Sequence, residues 1–79
     1  MRGPEFEYLT VEGYLVVIER GPTSLGALVP DLPGCYGLAG TVEEIVEQMK
    51  VGIPFHIEGL RRDGDPVPPP VTTVETLAA

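Results

Sequence analysis

The sequence predicts a single α+β domain, in which three to four antiparallel strands carry one long helix on one face, in the order β-β-β-α-β. Three observations predict it. An apolar, β-branched run from Tyr14 to Glu19 is followed by two shorter apolar runs, set apart by Gly/Pro turns. A capping box at Thr41 opens a segment whose apolar residues recur every three or four positions. Finally, a β-prone stretch, Val71 to Leu77, follows a run of prolines.

The elements follow in chain order. Glu5 to Val11 alternates Phe6 and Tyr8 with Glu5 and Glu7, as an edge strand does, and Gly13 supplies a bend. Tyr14, Val16 and Ile18 share one face of the next strand, and Leu15, Val17 and Glu19 share the other. Both faces are largely apolar, so this strand is expected to be central or covered on both sides. Gly21-Pro22-Thr23-Ser24 makes a turn, and Leu25 to Val29 returns antiparallel. Pro30-Asp31-Leu32-Pro33-Gly34 reads as a rigid loop, and Cys35 to Ala39 as a short strand.

Thr41 is a good N-cap with Glu44 three residues on, and Glu43 and Glu44 face the positive end of the helix dipole. Val42, Ile45, Val46, Met49, Ile53, Ile57 and Leu60 form one apolar stripe. Glu43, Glu47, Lys50, Glu58 and Arg61 lie opposite. Pro54 removes a donor to the carbonyl of Lys50, which predicts a kink but not a break, because the stripe stays in phase beyond it. The helix is expected to end at Arg62-Asp63, with Gly64 as left-handed cap. Pro66 to Pro70 is a stiff spacer, and residues 71–77 read as a last strand, completing the chain's own sheet or pairing with a neighbour. The domain thus spans 1–79, with a core of about 13–65, a spacer at 66–70 and a strand at 71–77.

A domain of 79 residues has a marginal core, and extra stabilisation is expected. One cysteine, Cys35, excludes an internal disulfide, and with one histidine, His56, no Cys/His pair has metal-ligand spacing. Oligomerisation, as a dimer or tetramer, is therefore the expected source, and no cofactor is implied. The absence of a long apolar run and of a basic-then-apolar leader predicts a cytoplasmic protein. The net charge of −7 disfavours nucleic acid and would attract a basic protein partner, although an acidic surface that simply aids solubility is the preferred reading of the charge alone. A lone helix covers half of a thin sheet, so the face with Leu15 and Val17 is expected to be a contact surface.

Val29-Pro30-Asp31-Leu32-Pro33-Gly34-Cys35, followed by Gly40-Thr41-Val42-Glu43-Glu44, resembles the HicB-like antitoxin family. Gly59 to Gly64, followed by Pro66, Pro68 and Pro69, fits the same pattern, so the resemblance runs from Tyr14 to Val71. It implies a reduced RNase H-like fold that is not a nuclease and that neutralises a small, basic, mRNA-cleaving HicA-type toxin. Many members add a C-terminal helix-turn-helix or ribbon-helix-helix module. Residues 71–79 are too few for one, so direct DNA binding is not expected.

The candidate partner-binding residues are Pro30, Asp31, Leu32, Pro33 and Gly34 in the loop, Tyr36 as an exposed aromatic, and Glu43, Glu47 and Glu58 as an acidic field. Asp31 has two readings, a polar contact to the partner or a carboxylate that caps nearby backbone amides, and the second is preferred. Cys35 reads as a small buried hydrophobe and not a nucleophile. A residual metal-dependent nuclease would need Glu19, Asp31 and Glu43 to converge. The mid-strand acid of such a site is missing, since Val16 and Val17 stand there. An oligomeric scaffold without a toxin is the other alternative.

Overall fold

A computed structural model describes residues 6–74. Four strands precede one helix: β1 (Phe6–Val11), β2 (Tyr14–Arg20), β3 (Leu25–Leu28), β4 (Tyr36–Ala39) and α1 (Val42–Arg62). The strands form one antiparallel sheet in the order β1-β2-β3-β4. An α+β fold with one long helix on one face of an antiparallel sheet is therefore present, with a four-stranded sheet in the order β-β-β-β-α.

The difference lies at the two ends. The segment before Tyr14 forms a full strand, closed by the two-residue turn Glu12-Gly13. Both turn residues have positive φ, 52° and 84°, as a type I′ hairpin turn requires. The strand expected after the proline spacer is not formed at Val71–Val74, and the rest of 71–77 lies outside the described residues. Two causes act together. β1 already pairs with the outer side of β2. The adjacent amide N–H groups of Val71 and Thr72, one of which an added edge strand would use, donate instead to the Asp31 carboxylate at 2.9 and 2.7 Å.

The central hairpin forms as its sequence dictates. Gly21 N–H donates to the Ser24 carbonyl at 2.8 Å, and Arg20 pairs with Leu25. Tyr14, Val16 and Ile18 are buried, and Leu15 and Val17 are half-buried. The core lies between that inner face and α1, where Ile45, Met49 and Ile53 are buried and Val42, Ile57 and Leu60 flank them. Each fully buried side chain among them contributes roughly 1.5–3 kcal/mol, and the half-buried flanking ones less.

Thr41 caps α1 by accepting from Glu44 N–H at 3.1 Å. The helix is continuous through Pro54. It ends in a Schellman motif, with Gly64 at φ 74°. Gly64 N–H donates to Arg61 and Asp65 N–H to Leu60, at 3.1 and 2.8 Å. The proline strap then folds back, and the Tyr14 hydroxyl donates to the Pro68 carbonyl.

Candidate protein-binding face

Strand register builds the candidate site. Tyr8 pairs with Val17, Val17 with Leu28 and Leu28 with Tyr36, so these four form one row across all four strands. A second row, two residues along, is Phe6, Glu19, Gly26 and Leu38. Both rows have the parity opposite to the buried Val16 and Ile18, and therefore lie on the side of the sheet away from α1. Tyr36 is 75% exposed and Leu38 67%, and Phe6, Tyr8 and Leu28 are also exposed. This uncovered face is apolar, with one acid in its second row. A depression of about 280 Å³ opens in it, lined by Phe6, Val17, Glu19, Gly26, Leu28 and Tyr36 among others.

The edge of the sheet at β4 is treated differently from the face. The Gln48 side chain accepts from Leu38 N–H at 3.1 Å and donates to the Leu38 carbonyl at 2.7 Å. It thereby occupies, from α1, a donor–acceptor pair that an added strand would use. Gly37 makes this close approach possible, since an added Cβ would lie 2.7 Å from Met49 Cε and 2.9 Å from Gln48 Oε1.

The loop residues sit at the end of the sheet and do different work. Leu32 N–H donates to the Val29 carbonyl and Cys35 N–H to the Leu32 carbonyl, each at 3.0 Å. These two turns share Leu32 and drive its side chain into the core, where it is 0% exposed. Leu32, expected among the partner contacts, is therefore a core anchor of the loop. Pro30 and Pro33 are exposed, and Gly34, also exposed, takes φ 91°. A Cβ there would lie 3.5 Å from His56 Cε1, so the histidine packs beneath the loop.

Asp31 caps backbone amides, as the preferred reading holds, but they lie forty residues away. Besides the two N–H groups, its carboxylate accepts from the Thr72 hydroxyl at 2.6 Å. The Thr72 hydroxyl and N–H, and then Val71 N–H, hold the Asp31 carboxyl below its ordinary range. Cys35 is buried, and burial pushes its thiol up, away from the reactive thiolate.

Glu43, Glu47 and Glu58 are exposed on α1, on the side of the sheet opposite the open face. Glu47 pairs with Lys50 at 3.5 Å. Of the candidate partner-binding residues only Tyr36 lies on the open face, beside Val17, which the expected contact surface already included. The sequence reading missed Phe6, Tyr8, Leu28 and Leu38, which register alone brings together, and Gln48, which looks like any polar helix residue. Among the described residues no group of three or more His, Cys, Asp or Glu side chains is placed to hold a metal, so Glu19, Asp31 and Glu43 do not converge.

The model of the HicB-like antitoxin of bacterial toxin–antitoxin systems matches residues 14–79. The chain belongs to the HicB-like antitoxin family. The match begins at the first residue of β2, so β1 lies outside the part shared with the HicB-like model. This HicB-like chain is also similar to a protein of Haemophilus phage HP1 (strain HP1c1), described as an uncharacterized 14.9 kDa protein in the rep-hol intergenic region. The two are 36% identical over 55 residues, covering 70% of this chain and 41% of the relative. The HicB-like chain thus spans about two fifths of that relative's length. No solved structure matches it. No helix among the described residues is long and apolar enough to cross a membrane.

Proposed function

We propose that this chain is the antitoxin of a type II toxin–antitoxin pair and neutralises a small, basic, HicA-type mRNA interferase in the cytoplasm by covering it with the open sheet face. The observation that carries the reading is the uncovered apolar row Tyr8–Val17–Leu28–Tyr36 on a chain of the HicB-like antitoxin family. The net charge of −7 supports it, since a cationic partner is steered toward such a chain and RNA is repelled. The antitoxin acts by occlusion and needs no bond-making of its own. The reduced RNase H-like ancestry implied by the resemblance belongs to the same reading.

Self-association into a dimer or tetramer is part of the proposal for the free protein, in which the apolar row would otherwise face water. Each copy carries −7, so self-association is opposed by charge and yields to a cationic partner.

The test is co-expression with a short basic open reading frame adjacent to the gene, followed by co-purification and an RNA-cleavage assay. Neutralisation that is lost with Leu28→Asp and Tyr36→Asp supports the reading. A toxin that cleaves RNA undiminished in the presence of the folded wild-type chain overturns it. A chain that stays oligomeric whatever toxin is added favours a scaffold role instead.

A further inference from the structure

Glu19 stands out on the open face. It lies in the row Phe6–Glu19–Gly26–Leu38, is exposed, and makes no hydrogen bond or ion pair with the other described residues. Its neighbour Arg20 is bound to Glu7 at 2.8 Å. The depression beside Glu19 has apolar walls, Val17 and Leu28, and two aromatic rings, Phe6 and Tyr36. Gly26 supplies its floor, and a Cβ there would meet nothing within 4 Å. The site therefore combines an apolar trough, two aromatic residues in its lining and one carboxylate without a partner among the described residues. That combination matches a cation on a long aliphatic stem, since the stem packs on the walls while the head reaches the acid. A planar guanidinium also stacks on aromatic rings and binds a carboxylate in a fork, which an ammonium does not.

We infer that this depression is a subsite for an arginine side chain of the partner protein, with Glu19 as the counter-ion and Phe6 and Tyr36 as stacking walls. The inference deepens the antitoxin reading by naming what the partner must present. A second copy of this chain fits the site poorly, because it would bring a like-charged surface to Glu19.

The probe is N-acetyl-arginine methylamide, titrated into the full chain and followed by amide NMR shifts. Binding is expected on the order of millimolar, with shifts at Phe6, Val17, Glu19, Leu28 and Tyr36. The neutral isostere N-acetyl-citrulline methylamide, or the arginine probe on Glu19→Gln, is expected to bind roughly tenfold more weakly. Gly26→Val fills the floor without a clash at Cβ and is expected to abolish binding while the chain stays folded. Equal binding of arginine and citrulline probes, or shifts centred on the acidic face of α1, overturns the inference.

The toxin assay separates this inference from the reading it rests on. If Glu19→Gln and Gly26→Val neutralise the toxin as well as the wild type does, the subsite falls and the antitoxin role stands. If the arginine probe seats as described but no toxin is neutralised, the antitoxin role falls and the subsite stands as a site for another basic protein.

Discussion

Gly37→Ala tests the packing of helix against sheet most directly. The new Cβ would lie 2.7 Å from Met49 Cε and 2.9 Å from Gln48 Oε1, where carbon contacts normally settle at roughly 3.5–4.0 Å. Met49 is 1% exposed, so its tip has little free space to swing into. Overpacking of this kind costs about 1–3 kcal/mol, while replacing glycine in a strand returns about 0.5–1 kcal/mol. The net expectation is a loss of about 1–2 kcal/mol. Urea unfolding by circular dichroism, at fixed protein concentration, should show the midpoint falling by about 1–2 M for a slope near 1 kcal/mol/M. Met49→Ala alone should cost about 2–5 kcal/mol through the cavity it leaves. In that background the cost of Gly37→Ala should shrink, because the nearer of the two atoms it meets is gone and only Gln48 Oε1 remains close. An equal cost of Gly37→Ala in both backgrounds would refute the close-approach argument.

Other expectations follow from the same structure. Leu32→Ala should destabilise by about 2–5 kcal/mol on thermal or urea unfolding, because this loop side chain is fully buried; a surface-like effect under 0.5 kcal/mol would contradict its role as anchor. Asp31 has a lowered carboxyl pKa, so its hold on the strap is complete above the ordinary carboxylate range and is lost as pH falls through the lower folded value. The Val71 and Thr72 amides should be protected from hydrogen exchange near neutrality, relative to their intrinsic rates, and should lose that protection in Asp31→Ala; equal protection in the two proteins at neutral pH would refute the clamp. Glu12→Asn, at φ 52°, should stabilise by about 0.5–1 kcal/mol, seen as a raised Tm. Self-association followed by sedimentation should strengthen with added salt, as screening weakens repulsion between copies; weakening would show that ion pairs hold the oligomer.

The helix and the two inner hairpin strands were legible because their signals are local. Thr41 with Glu44, the stripe from Val42 to Leu60, and Gly64 each specify a boundary or a face within a few residues. β1 was harder to read because its turn is Glu12-Gly13, and glutamate is not a usual residue at positive φ. No strand forms at Val71–Val74 in the chain's own sheet because the β-propensity there is local, whereas the Asp31 contact that engages Val71 and Thr72 spans forty residues. The open face was foreseen from Leu15 and Val17, but its members came from register, which pairs residues distant in sequence. Gln48 gave no signal, since a glutamine on a polar helix surface acquires meaning only when β4 lies beside it.

The stitch from Gln48 to Leu38 has a consequence for how copies can accumulate. A fibril that grows by strand addition needs two receptive margins on every subunit, one to accept and one to offer. Here one margin is partly closed from within by a side-chain amide, at the position where an incoming backbone would dock. Such a partial closure works against chains that add strand by strand across this margin, and leaves the opposite one as the more receptive.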